Sequence, residues 1–380
     1  MHTLLFSLAI VAATACVYPG HCTPPNSLYS LVIPGPQPGQ QWNIEGGFCG
    51  AFSTQHAALA FGVWVSQDLV RKANRDQPGP HHMHGDTTVG WEVMPSNVAY
   101  TAAALRLRYT EWDSSQPSPQ APAYKRWLKR ALTQGFPVVW FPICKGDEHV
   151  CYPDSCPNGG ACDHVEPMCA CCALLRRNPP PRKSRSAAYP LPHPHTPPAI
   201  AGGIFSNHSL EDPEVYDDDV ILHASDQDLE PYYRPLNSLD DTIAMSGNCA
   251  NAGSGFGKNE MYPCFDSHVT YGLAVTGLDV NGTTFPVSLS TDGAVSEPDT
   301  RMGAPPSSLK GTVTVRGLTP GTKYILYRYL GTDTLPTGPN NFNVGFQYAT
   351  PFTASAESWT LKDPKPFASN TAIYYVCVKA

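Results

Sequence analysis

Helical periodicity in this chain stops at Gly135, and almost everything after it reads as short strands and turns. Before that point, residues 51–73 carry Phe52, Leu59, Val63 and Val70 at helical spacing, with Arg71 and Lys72 in the closing turn. Residues 96–106 follow Pro95 as a shorter helical candidate. Residues 124–134 are amphipathic, with Trp127, Leu128, Ala131 and Leu132 on one face and Lys125, Arg126, Lys129 and Arg130 elsewhere. Beyond Gly135, residues 136–141 read as a buried strand, followed by a Cys-rich loop, a strand opening at His164, and a strand over 220–223 that ends in Ser225-Asp226. Helices first and strands later predict an α+β fold. The 39 prolines and 31 glycines are too many for a helical bundle.

From about Asn259 the pattern becomes purely alternating, with strands expected at 269–276, 284–290, 311–315, 322–329 and 372–379. That spacing of short strands and turns predicts an antiparallel β-sandwich over 259–380. Its Leu318-Thr-Pro-Gly-Thr-Lys-Tyr324 stretch resembles the Leu-x-Pro-Gly-x-x-Tyr corner of fibronectin type III domains. Such a domain is usually a spacer or binding module, and it carries no catalytic constellation here.

Chemistry concentrates in Gly46-Gly47-Phe48-Cys49-Gly50, which places a cysteine between glycines at the mouth of the first helix. Glycines let the backbone turn sharply and approach a ligand closely. A thiol at a helix N-terminus is favoured as thiolate by the macrodipole and the free N–H groups. Cys49 is therefore the candidate nucleophile. The alternative is a disulfide partner or a small buried side chain in a turn. A thiol nucleophile needs a base beside it and a carboxylate or amide to orient the base. Of the thirteen histidines, His164 is the best placed, opening a strand downstream of the nucleophile helix. Asp226, at the end of the next strand, ranks first as the orienting residue, ahead of Asn207 and Asp219, with adjacent strands expected to bring His164 and Asp226 together. Asn207 is weakened by its own glycosylation sequon.

The order of Cys-helix, helix, strand, His-strand and Asp-strand resembles the papain-like cysteine peptidase superfamily. It is nearest to the bacteriocin-processing, double-glycine-type peptidases and their peptidase-like relatives. The matching pieces are Gly47-Phe48-Cys49-Gly50, Gly135-Phe136-Pro137-Val138-Val139, Asp163-His164-Val165 with Gly203-Ile204, and Ile221-Leu222-His223-Ala224-Ser225-Asp226. They span residues 40–230. The resemblance implies a papain-like domain over 16–258, followed by the sandwich. It also implies an oxyanion donor about six residues before the nucleophile, where this chain has Asn43, with Gln41 slightly further upstream. Either is a candidate to act beside the Cys49 N–H. The implied activity is hydrolysis of a peptide or protein substrate through an acyl-enzyme, with no cofactor. An acyl transferase or amidase on the same fold, or an inactive peptidase-like binding protein, are the alternatives.

Residues 169–201 fit neither flank, being Pro- and Arg-rich with no apolar period. Deleting them joins the His164 stretch to Gly203-Ile204-Phe205 in one extended run. The segment reads as a disordered surface loop or, preferably, as translated intron sequence, since long structureless insertions are uncommon in compact domains. Among the 13 cysteines, Cys16 lies at the expected cleavage point and Cys169, Cys171 and Cys172 lie in this segment. With Cys49 as a free thiol, the other eight (Cys22, Cys144, Cys151, Cys156, Cys162, Cys249, Cys264 and Cys377) suffice for four disulfides.

Oxidised cysteines agree with export. The apolar run over residues 4–15 ends in Ala13-Thr14-Ala15, an expected signal peptide over 1–15, although its n-region carries only the α-amino group and His2. No later stretch is apolar for long enough to span a bilayer, so no membrane association is expected after cleavage, and the expected location is secreted or extracellular. The sequons at Asn207 and Asn281 point the same way. A formal charge of −7, with no basic stripe outside 169–201, gives no case for nucleic acid. Cys151, Cys156, Cys162 and His164 offer a rival zinc set, but their spacings are not the tight pairs of structural zinc sites, so no metal is expected. The run Pro80-His81-His82-Met83-His84 is assigned no role.

Overall fold

What reads in the sequence as one helix over 51–73 is two helices with a strand between them, and that interruption ties the two halves of the molecule together. The structure, a computed structural model, describes residues 25–35, 42, 48–76, 93, 97–113, 115–117, 119–140, 143–145, 161–163, 166–167, 203–224, 231–237, 272–292 and 307–380. The first elements are β1 (Tyr29–Val32), α1 (Cys49–Leu59), β2 (Val63–Val65), α2 (Gln67–Arg75), α3 (Val98–Ala104), β3 (Leu107–Glu111) and α4 (Ala121–Thr133). Then come β4 (Val138–Trp140), β5 (Ile143–Lys145), β6 (Ala161–Asp163), β7 (Glu166–Pro167), β8 (Gly203–Ser206), β9 (Val220–Ala224) and β10 (Pro231–Pro235). The remaining strands are β11 (Gly272–Leu278), β12 (Val287–Thr291), β13 (Gly311–Arg316), β14 (Lys323–Leu330), β15 (Tyr348–Thr353), β16 (Ser358–Lys362) and β17 (Ala372–Lys379). Every strand pairing among the described residues is antiparallel, so the chain mixes helices with antiparallel sheets, in keeping with the α+β class.

Gly62 makes the interruption. It adopts φ +72°, and a Cβ there would meet the Val287 side chain at 2.6 Å. Only glycine fits that turn. The β-branched Val63 and Val65 flank Trp64 in a fully buried strand that pairs with β17, with Val63 opposite Tyr374 and Val65 opposite Ala372. Ser66 then caps α2, its hydroxyl accepting the Leu69 N–H at 3.1 Å.

The C-terminal strands form two sheets, ordered β12-β13-β16 and β15-β14-β17-β2, so the second is completed by a strand from the N-terminal half. They enclose one core, which includes Leu289, Val313, Val315, Leu326, Ile373 and Cys377. β17 is buried along almost its whole length because both of its faces are covered. Ile373, Tyr375 and Cys377 face the three-stranded sheet, while Tyr374, Val376 and Val378 join a second core with residues of α1, α3 and β11. The Leu318–Tyr324 corner crosses between the sheets, and the Tyr324 hydroxyl accepts the Thr319 N–H at 2.9 Å. A third core gathers Ile33, Tyr124, Leu128, Trp140, Ile204 and Ile221 from β4, β8, β9, α4 and the end of β1.

Several expectations are corrected here. The stretch expected as the sandwich's first strand, 269–276, is instead β11, which lies between β3 and β4 in the sheet β3-β11-β4-β7. Its alternate side chains serve two cores, Leu273 and Val275 one and Ala274 the other, so its apolar run belongs to the middle of the fold rather than to a sandwich edge. The run expected to join the His164 stretch to Gly203 once 169–201 is deleted falls largely outside the described residues; on either side of it, β7 pairs with β4 while β8 pairs with β1 and β9. Lys125 and Lys129, off the apolar face of α4, are nevertheless enclosed. Both are buried, Lys125 donating to the Asn237 side chain and Lys129 pairing with Asp219 at 2.9 Å, with both of those side chains fully enclosed. Helix α4 does stop where the sequence says, at Gly135, whose φ of +80° lets its N–H and that of Phe136 bond back to Leu132 and Ala131.

A second buried ion pair lies inside the sandwich. Arg328 contacts Asp363 at 3.1 Å, and the carboxylate also accepts the Tyr348 and Tyr375 hydroxyls and the Lys365 N–H. Burial, and then the hydrogen bond to Asp363, push both tyrosines well above their ordinary range, so they remain neutral donors. Arg328→Met leaves that carboxylate buried without its cation and is expected to cost about 3–5 kcal/mol in urea denaturation. A chain ending at 258 lacks both β11 and the partner of β2, and is expected to show no cooperative unfolding transition and no native-like near-ultraviolet circular dichroism.

Candidate active site

Helix α1 is enclosed on all sides. Every residue from Gly50 to Leu59 is buried, and only Cys49, its first residue, is partly exposed. Small residues make this possible, since Gly50, Ala51, Ala57 and Ala58 let neighbouring elements approach the backbone closely. Their polar neighbours are satisfied within the helix: the Ser53 hydroxyl donates to the Cys49 carbonyl at 2.8 Å and the Thr54 hydroxyl to Gly50 at 2.9 Å. His56 lies 3.1 Å by its Nδ1 from the Phe52 carbonyl and packs on the Phe52 ring, so this histidine is structural.

The helix start presents Cys49 in a distinctive setting. Phe48 precedes it without a side-chain cap, and the first bond of the helix runs from the Phe52 N–H to the Phe48 carbonyl at 2.8 Å. The N–H groups of the first turn have no acceptor four residues back and carry the positive end of the helix dipole. The buried Arg71 guanidinium lies 4.3 Å from the Phe48 ring centroid, bringing a cation against the residue next to the thiol. Cys49 is a free thiol, as the sequence suggests.

The flanks of α1 are anchored in the sandwich. Trp42, Leu59 and Trp64 belong to the core between the two C-terminal sheets, and Phe48 packs against it. A line of buried amides links them. The Trp42 N–H donates to Gln67 Oε1 at 3.0 Å, Gln67 Nε2 to Gln55 Oε1 at 3.3 Å, and Gln55 Nε2 to the Val65 carbonyl at 2.7 Å. The sequence gives no sign of this arrangement, apart from two glutamines set among apolar residues.

His164, Asp226, Asn43 and Gln41 lie outside the described residues, as do residues 169–201. Their chain neighbours can still be placed. β6 ends one residue before His164, pairing with β5 in a register that sets Cys162 opposite Cys144. β7 begins two residues after His164 and packs against α1. β9 ends two residues before Asp226, but pairs with β8 and β10 rather than β7, so the expected adjacency of the His and Asp strands is not formed. Of the two lower-ranked orienting candidates, Asp219 is committed to Lys129, and Asn207 is exposed, its Oδ1 accepting the Leu28 N–H at 3.3 Å. Asn281 is exposed as well, in the turn after β11.

Cys377 corrects the disulfide arithmetic, because it is a free thiol packed between the sandwich sheets. Burial pushes it from an ordinary 9.0 up to about 12. The folded state therefore holds this proton more tightly than the unfolded chain does. Its contribution to stability is intact below about pH 9 and is lost as pH rises towards 12. Iodoacetamide on the native protein at neutral pH is expected to label Cys49 and leave Cys377 unmodified until denaturant is added, as read by peptide mass mapping. Compared with known proteins, the chain matches no family model, no curated protein and no solved structure.

Proposed function

We propose that this chain is a secreted, papain-like thiol hydrolase, most simply a cysteine peptidase, in which Cys49 is the nucleophile, His164 the base and Asp226 the residue that orients it. The observation that carries this reading is the placement of Cys49. It is a free, partly exposed thiol opening a helix that is otherwise wholly enclosed. A structural cysteine needs neither that exposure nor that helix start. The packing of β7, two residues beyond His164, against the same helix supports the choice of base. The sandwich, with its tyrosine corner at Tyr324, supports a fibronectin type III-like reading of the C-terminal strands.

In this mechanism His164 takes the proton from the Cys49 thiol, and the thiolate attacks the scissile carbonyl. The oxyanion is met by the Cys49 N–H and by Asn43 or Gln41. The imidazolium returns its proton to the departing amine, leaving a thioester. Water, deprotonated by His164, then attacks the thioester, releasing the carboxylic acid and the free thiol. No cofactor takes part. Asn207 and Asn281, both exposed, are the proposed glycan acceptors.

Cys49→Ala is expected to abolish hydrolysis while the protein still folds and is secreted. His164→Ala is expected to lower turnover by about 10²–10⁴-fold. Asp226→Asn should act more mildly, because an amide oxygen still accepts the imidazole N–H, and Asn207→Gln should be nearly silent. Turnover surviving in Cys49→Ala would remove the thiol mechanism. A crippled Asn207→Gln beside an unaffected Asp226→Asn would reassign the third residue.

A further inference from the structure

The turn after β11 brings an asparagine and a glycine together in a setting that leaves both reactive. Of the two Asn-Gly pairs in the chain, Asn158-Gly159 and Asn281-Gly282, the second lies within the described residues. The fold requires glycine there. At φ +136°, a Cβ on Gly282 would sit 2.5 Å from Asn340 Oδ1 and 2.8 Å from the Phe342 ring. Three bonds pin the turn around the pair. The Arg106 guanidinium donates to the Asp279 carbonyl at 2.7 Å, the Asn340 N–H to the Asn281 carbonyl at 2.8 Å, and the Phe285 N–H to the Cys377 carbonyl at 2.9 Å.

Those bonds leave the two reacting groups untouched. Asn281, Gly282 and Thr283 are exposed. Among the described residues nothing pairs with the Asn281 carboxamide or with the Gly282 N–H. A carboxamide without partners is free to turn onto the following nitrogen, and a glycine has no Cβ in the way of that approach. Asn207, the other exposed sequon residue, is the contrast. Its Oδ1 accepts the Leu28 N–H at 3.3 Å, and the N–H that follows it, from His208, donates to Ser206 Oγ at 3.0 Å.

We propose that Asn281 is a self-modifying residue: where its Nδ2 carries no glycan, it cyclises with the main chain at Gly282 and reopens as isoaspartate, releasing the 338–342 loop from the turn. In the first step the Gly282 nitrogen bonds to Asn281 Cγ, the Cγ–Nδ2 bond breaks, and ammonia leaves with the proton of the Gly282 N–H. Water then opens the succinimide. Addition at Cγ gives aspartate on an ordinary chain. Addition at the main-chain carbonyl gives isoaspartate, whose chain runs through Cβ and Cγ and whose former main-chain carbonyl is a free carboxylate. The linkage is one atom longer, and the carbonyl that accepted the Asn340 N–H is no longer part of the chain. Gly282 is thereby displaced against Phe342, a 5 % exposed member of the core that also holds Ala51, Ala57 and Ala58 of α1. A reaction in a surface turn thus reaches the packing around α1. It needs neither the thiol nor a cofactor.

The test uses the full chain made in a host without asparagine-linked glycosylation and held at neutral pH, with isoaspartate located by peptide mapping and protection of Cys377 from iodoacetamide reporting the fold. Isoaspartate is expected at position 281 in the native chain at a rate within about tenfold of the same chain in urea, since a fold that held nitrogen and carbonyl apart would slow closure by about 100-fold. The Asn207 peptide is expected to stay unconverted over the same interval. A native rate more than about tenfold below the rate in urea overturns the proposal, as does equal conversion at Asn207. The isoaspartyl fraction, separated by ion exchange, is expected to unfold at a lower urea concentration than the starting protein. Asn281→Asp, which carries the same charge on an ordinary chain, is expected to unfold where the starting protein does. An unchanged midpoint in the isoaspartyl fraction overturns the release of the loop, and so does an equal fall in Asn281→Asp. Should the chain from that host leave Cys377 open to alkylation, Thr283→Ala from a secretory host, which lacks the sequon, takes its place with the same outcomes.

Discussion

The pairing of β2 with β17 is the interaction on which the rest depends. β2 has only three residues, yet its neighbours extend the contact in both directions. The Ser66 N–H reaches the Thr371 carbonyl at 3.1 Å, the Tyr375 N–H reaches Gly62 at 3.0 Å, and the Trp64 indole donates to the Ser369 carbonyl at 2.9 Å. Because β17 is covered on both faces, this short ladder joins the core around α1 to the core inside the sandwich. The C-terminal strands are therefore neither spacer nor appendage. They form the wall against which the helix that begins at Cys49 is set.

That arrangement explains how an almost featureless helix can hold Cys49 in a fixed place. α1 has no cap and no amphipathic stripe, and in isolation nothing would keep it in place. Its position comes from enclosure: tryptophans and a leucine pinned in the sandwich at its flanks, Phe48 against the same core, and hydroxyls turned back onto its own carbonyls. Only Cys49, the first residue of the helix, is left partly exposed.

Much of the local structure is legible in the sequence because it is locally determined. The end of α4 at Gly135 and the Leu318–Tyr324 corner each follow from a few adjacent residues. What the sequence conceals is long-range. Val63 and Val70 suit a continuing helix as well as they suit a buried strand, and only Val287 crowding Gly62 and the distant β17 ladder decide between them. Lys129 looks solvated until Asp219, ninety residues on in a different element, turns out to enclose its charge. β11 alternates like a sandwich strand but is drawn between β3 and β4, because its two faces are both wanted by cores. At the candidate site the sequence singles out Cys49 from its glycines and helix, but not the buried amides that fix the chain beside it.

The tryptophan of β2 and its acceptor Ser369 are 305 residues apart in the chain. During synthesis α1 and β2 emerge early, while β17, the strand that pairs with β2, emerges only after more than three hundred further residues. Through that interval α1 has no finished wall to fold against, and its apolar surface must be shielded or remain loosely collapsed. A partly made chain thus carries the cysteine without the geometry around it. The topology delays assembly of the thiol site until the C-terminal strands are in place, so that a truncated product carries a cysteine but not the arrangement proposed to use it.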